Sequence, residues 1–209
     1  MSSYIGYLYI NGLGDGATTL KDKVVKWWWK RAGLDIRHAH INWYDDKDLN
    51  SKLKSVENKV NELLKEFSAV TIIGCSAGGS LAVNSFYRLR DKNVCVVSAH
   101  ARLKSGKYPD GHRMSLRRRA HVGSNKQSRS FYNSVVMAEI DLIPKFNNQD
   151  KRRLLTLSQL TDLVVPIELM KIDGVRQHRS LAFGHSGGFL AHLIADRNLI
   201  VRFAESRLL

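Results

Sequence analysis

Residues 69–86, AVTIIGCSAGGSLAVNSF, leave a folding chain few choices. An apolar, β-branched run reads as a buried strand, the glycine-rich turn that follows bends sharply, and a helix starts directly after it. A strand that feeds a helix through a tight turn is half of a parallel crossover unit. The rest of the chain repeats the alternation. YIGYLYI at 4–10, DIRHAHINW at 35–43, NVCVVSAHA at 93–101, RRLLTLSQLTD at 152–162 and VRQHRSLAFGH at 175–185 read as further strands.

Helices are expected between them. In 18–31, Thr18 or Thr19 can cap the start, and Leu20, Val24, Trp27 and Trp28 recur at helical spacing as a packing face, with one ring of Trp27–Trp29 left outside. Leu53, Val56, Val60, Leu63, Leu64 and Phe67 mark one face of a long second helix. A last helix spans 187–203. Strands this apolar are buried on both faces, so the expected fold is a three-layer α/β sandwich: a mostly parallel sheet of about six strands, helices on either side.

At 209 residues, with 44% hydrophobic and 25% charged side chains, one domain over 1–209 is expected. The stretch 101–150 interrupts the alternation as an irregular excursion, with a helix near FYNSVVMAEI. It is also basic: residues 100–130 hold nine Lys/Arg against Asp110 alone, +8 of the chain's net +14. The start lacks a basic leader and no stretch reaches the length of a membrane helix. Two cysteines, Cys75 and Cys95, in apolar strands give no disulfide framework or zinc cluster, so a reducing cytoplasm is the expected setting.

GCSAGGS at 74–80 admits three uses: a plain bend, a phosphate cradle or a raised nucleophile. It lacks the G-x-G-x-x-G and G-x-x-x-x-G-K-[ST] spacings of phosphate turns. It does satisfy G-x-S-x-G between a strand and a helix, with Gly74 and Gly78 flanking Ser76. A serine needs a histidine to take its proton and a carboxylate to orient that histidine. Asp162 and His185 end later strands, in the order that such a triad takes on a parallel sheet. Asp173, in a turn before the last strand, and Asp141 are less favoured by position for the carboxylate, and His178, inside a strand, and His192, inside the last helix, for the histidine. His100 ends a strand near the site.

The chain therefore resembles the α/β-hydrolases, as a compact serine hydrolase lacking the first two strands of the full fold. The resemblance rests on GCSAGGS, on Asp162-Leu-Val-Val-Pro166, on Gly184-His185 before a final helix and on the loop Asn11-Gly12-Leu13-Gly14. It implies Ser76 as nucleophile, His185 as base and then acid, Asp162 as its orienting partner, and the backbone N–H groups of Leu13 and Ala77 as an oxyanion hole. Asn11 stands where a histidine is frequent in that family.

An esterase working through an acyl-enzyme, without cofactor, is the expected activity; a thioester or amide is a secondary substrate. The alternative is a non-catalytic binding protein on the same scaffold. In either case the basic excursion, with Arg113, Arg117, Arg118 and Arg119, is a candidate lid or anion-binding surface for an anionic substrate, nucleic acid or an acidic surface. His38 and His40, near Asp45 and Asp46, suggest a metal only weakly, and no metal is expected.

Overall fold

A computed structural model describes residues 4–106 and 129–209. Six strands form one parallel sheet: β1 Ile5–Ile10, β2 Ile36–His38, β3 Ala69–Cys75, β4 Val94–Ala99, β5 Leu154–Thr161 and β6 Arg176–Phe183, in the order β2-β1-β3-β4-β5-β6. Successive side chains of a strand point to opposite faces, and each face here has its own core. Leu8, Ile10, Val70, Ile72 and Val96 pack against α2 (Leu49–Glu66) and α3 (Ala77–Leu89). Tyr7, Tyr9, Ile73, Val97 and Leu155 pack against α1 (Leu20–Arg31) and the C-terminal helix Arg197–Leu208. The expected three layers follow, and every strand pair is parallel.

Local chemistry sets the element ends. Thr19 and Asp22 form a reciprocal capping box at the start of α1, and Asp48 caps α2 through the Ser51 N–H at 2.8 Å. The segment 35–43 departs from expectation: only Ile36–His38 pairs, because β2 is an edge strand whose partner β1 stops at Ile10. His40 then takes a left-handed φ of 49°, and Trp43 turns inward, fully buried.

The helix at 18–31 forms, but on the opposite face from the one its spacing suggests. Val25 and Trp29 are buried, whereas Leu20, Val24 and Trp27 are 77%, 41% and 58% exposed. Trp29 fixes this choice by donating its indole N–H to the Leu193 carbonyl at 2.6 Å and stacking edge-on against Tyr7. The final helix is also broken where one was expected at 187–203. A short helix His185–Leu190 passes through a wide turn at Ala191–Ala195 into the helix Arg197–Leu208. The helix expected near FYNSVVMAEI is present as Arg129–Val136, widening over Met137–Leu142.

Candidate active site

At the carboxyl end of β3 the chain turns into α3 within one residue. Ser76 makes the turn, with φ 53° and ψ −118°, a conformation that costs a non-glycine residue about 1–3 kcal/mol. The surrounding contacts enforce it. The Ser76 N–H donates to the Ala99 carbonyl at 2.9 Å, and its carbonyl accepts from Gly79 at 3.0 Å. A Cβ on Gly74 would lie 2.2 Å from the Gly78 carbonyl oxygen, one on Gly78 would lie 2.5 Å from the Ile10 and Asn11 carbonyls, and one on Gly79 2.2 Å from Ala101 Cβ. Gly74 and Gly78 let backbone cross backbone, and Gly79 leaves room for the Ala101 and Ser98 side chains.

Two later strand ends bring the partners. Gly184, at φ 73°, redirects the chain after β6 and sets His185 at the first position of a helix. The Ser76 hydroxyl lies 2.8 Å from His185 Nε2, and His185 Nδ1 lies 2.8 Å from Asp162 Oδ2. A carboxylate accepts only, so the proton of the neutral ring sits on Nδ1 and the Nε2 lone pair faces the serine. Asp162, with a side chain 3% exposed, also receives the Val164 and Val165 N–H groups on Oδ1 and the Gln159 amide on Oδ2 at 2.7 Å. These donors compensate a buried carboxylate and hold its plane.

The sheet order places the remaining loop. Chain direction across the sheet reverses between β1 and β3, where parallel α/β sheets open a crevice at their carboxyl ends. The loop Asn11–Gly14 leaves β1 at that point. A Cβ on Gly12 would lie 3.2 Å from Ser76 Cβ, while one on Gly14 would meet open space. Asn11 acts as a brace: its amide donates to the carbonyls of Gly12 and Ile41, and its oxygen accepts the Ile41 N–H at 2.9 Å. Leu13 follows Gly12 on the loop. Ala77 opens α3, where first-turn amides have no acceptor within the helix.

Three polar residues near this relay were not given roles by the sequence. Gln159 is 2% exposed and sits three residues before Asp162; its one signal is an amide on the inward face of an apolar strand. Gly188 makes room for it, since a Cβ there would lie 1.6 Å from the Gln159 oxygen. His192 is fully buried, hydrogen-bonded through Nδ1 to Asp196 at 2.8 Å. Its ring stacks on His100, whose ring meets His185 edge-on at 4.9 Å between centroids. Burial first, then the neighbouring histidines, pull His100 well below its ordinary pKa, so it stands beside His185 as a neutral ring.

His38 and His40 do pack together, with ring centroids 4.0 Å apart. Asp45 is engaged by the Lys52 ammonium, and no group of three or more His, Cys, Asp or Glu among the described residues is arranged to hold a metal. The pair borders a cavity of about 180 Å³ between β2 and α1, whose lining does not include Ser76 or His185. Cys75, beside the serine, points into the core, where burial raises its thiol pKa. Arg113, Arg117, Arg118 and Arg119 lie outside the described residues. No helix of the described residues is long and apolar enough to cross a membrane.

No family model and no curated protein matches the chain. Solved structures do. One described with the metagenome-derived lipolytic enzymes LipS and LipT superposes with a TM-score of 0.65 at 14% identity, covering 99% of this chain and 94% of its own. Est1E from Butyrivibrio proteoclasticus gives 0.63 at 12% identity, covering 99% and 89%. The esterase EaEST from Exiguobacterium antarcticum gives 0.60 at 18%, covering 98% and 93%. The protein thus has the α/β-hydrolase fold, as its elbow and loop motifs suggested. A bromoperoxidase from Bacillus anthracis has the same likeness, at a TM-score of 0.56, so the chemistry has to be argued from the site.

Proposed function

We propose that the protein is a serine hydrolase that cleaves a carboxylic ester through an acyl-enzyme. The observation that carries this reading is the continuous relay from the Ser76 hydroxyl through His185 to Asp162, with both links at 2.8 Å. A bend with an incidental serine has no reason to meet a histidine whose second nitrogen is held by a fully bonded carboxylate. Esterase and lipolytic activities of structural neighbours agree with it.

In the proposed cycle His185 Nε2 takes the Ser76 proton as Oγ attacks the ester carbonyl carbon. Asp162 balances the imidazolium by keeping the Nδ1–H bond. The oxyanion accepts from the Leu13 and Ala77 N–H groups, a pair in which one donor contributes about 3 kcal/mol. Collapse breaks the bond to the alcohol oxygen, which leaves with the His185 proton. Water, deprotonated by the same nitrogen, then attacks the acyl carbon; the acid leaves and Ser76 regains its proton. Strain at Ser76 holds Oγ in place before substrate arrives.

A fluorophosphonate probe tests the reading. Labelling of the wild type, absent in Ser76→Ala and strongly slowed in His185→Ala, is the expected outcome, together with turnover of a chromogenic short-chain ester. A folded wild-type protein that is neither labelled nor active on esters would overturn it in favour of a binding protein.

A further inference from the structure

Among the described residues, the outer face of α1 carries a run of exposed apolar side chains that the proposed chemistry does not use. Leu20, Val24 and Trp27 are separated by four and three residues, so they form a single stripe along the 12-residue helix, about 18 Å long. All three are exposed, while Val25 and Trp29 on the far side hold the helix to the sheet. A helix needs only one apolar face to join a core. A second one raises the question of what covers it.

Charge identifies the cover. Lys21 flanks the stripe on one side and Lys23 and Lys30 on the other, with Lys26 further round and Arg31 at its end; all are exposed. The Arg31 guanidinium sits 5.8 Å from the Trp27 ring, and Arg197 lies over Trp28 at 5.4 Å. Against these cations α1 carries one acid, Asp22, whose carboxylate is spent on the Thr19 cap.

We propose that this face docks the protein on an anionic lipid bilayer, with Leu20, Val24 and Trp27 entering the headgroup boundary and the surrounding basic side chains meeting lipid phosphates. An aliphatic and indole stripe within a ring of cations is the pattern of interfacial helices, since lysine stems lie along the apolar surface and send their ammonium groups outward. Tryptophan at the edge of the stripe suits the headgroup level. A second copy of the chain fits poorly, because a two-fold contact would set the same cations against one another. Nucleic acid leaves Leu20 and Val24 without stacking partners. The inference does not depend on Ser76 chemistry.

Sedimentation with vesicles of phosphatidylcholine alone, and with vesicles containing phosphatidylglycerol, tests it on the full chain. The expected result is binding to the anionic vesicles that weakens as salt rises, with a blue shift of tryptophan emission that Trp27→Phe diminishes. Leu20→Ser with Trp27→Ser should weaken binding roughly tenfold or more, and Lys21→Gln with Lys30→Gln by a similar factor, about fivefold per lysine. Thermal melting checks that both variants fold; because the positions are exposed, Leu20→Ala and Trp27→Phe serve as milder versions. Equal binding to neutral and anionic vesicles, or no binding, overturns the proposal. So does anionic binding that the apolar variants leave unchanged, or a face that retains duplex DNA through Leu20 and Trp27 while ignoring vesicles.

Discussion

At the scale of single residues, the site is held by groups that do not react. Asp162 can orient His185 only while its own plane is fixed, and Gln159 supplies a side-chain donor to it beside the histidine. Both reach Oδ2, so the amide and the imidazole share one oxygen and set its position together. Replacing Gln159 by Leu removes a hydrogen bond to a charged group and leaves Oδ2 held by the histidine, with Oδ1 still bound by the Val164 and Val165 N–H groups. The expected loss in kcat is roughly tenfold or more, from about 1.5–3 kcal/mol for such a bond, with KM little changed. Gln159→Glu should be worse, because it sets a second carboxylate beside the first. A proportional rise in KM in ester kinetics would instead place Gln159 in substrate binding. Ser76, Asp162 and His185, which the structure brings within hydrogen-bond distance, could be singled out because each follows or ends a strand within a few residues of a recognisable neighbour, Gly74, Pro166 or Gly184. Gln159 meets Asp162 only because the strand end turns back within three residues, and His100 reaches His185 and His192 across the fold, a contact that no spacing in the chain encodes.

At the scale of elements, glycines near the serine have separable duties. Gly74 and Gly78 let the elbow close, and a methyl group on either meets backbone atoms that have nowhere to move. A Cβ on Gly12 would lie 3.2 Å from the Ser76 Cβ, a contact a small loop shift relieves. Gly74→Ala is therefore expected to destabilise folding by about 1–3 kcal/mol or more, seen in urea melts. Gly12→Ala should leave stability nearly intact and depress kcat for ester hydrolysis, since the shift moves the Leu13 amide; Gly14→Ala, into open space, is the control. Equal melting losses in Gly12→Ala and Gly74→Ala would contradict the division. The elbow was readable because its glycines are adjacent in sequence. The packing face of α1 was not, because two apolar stripes compete on one helix and the choice is made by Trp29 reaching Leu193, 164 residues away.

At the scale of the whole molecule, the parallel sheet and its helical layers followed from strand apolarity, yet the edge was misjudged: β2 spans three residues because alternation alone cannot count its neighbours. Closing the fold also buries histidines. Burial, reinforced by His40 and Lys59 against the opposing pull of Asp22, lowers His38 to about 4, and burial beside His185 and His192 takes His100 well down too. In the unfolded chain both titrate near 6.5. Between that value and the folded ones the unfolded state binds more protons, so folding stability is complete above about pH 6.5 and falls as the pH drops toward 4. Each histidine adds at most about 1.4 kcal/mol per pH unit to the slope. Glu66 and Asp48, whose pKa values are lowered by hydrogen bonds from Arg37 and Ser51, add losses in the same direction only when carboxylates begin to protonate. The window from pH 6.5 to about 5 therefore isolates the histidines. Urea midpoints are expected to decline across it in the wild type, and less steeply in His38→Gln, which keeps a polar side chain beside Asn11 but cannot take up the proton. Midpoints that stay level through that window would mean that His38 and His100 ionise as freely in the folded protein as in the unfolded one.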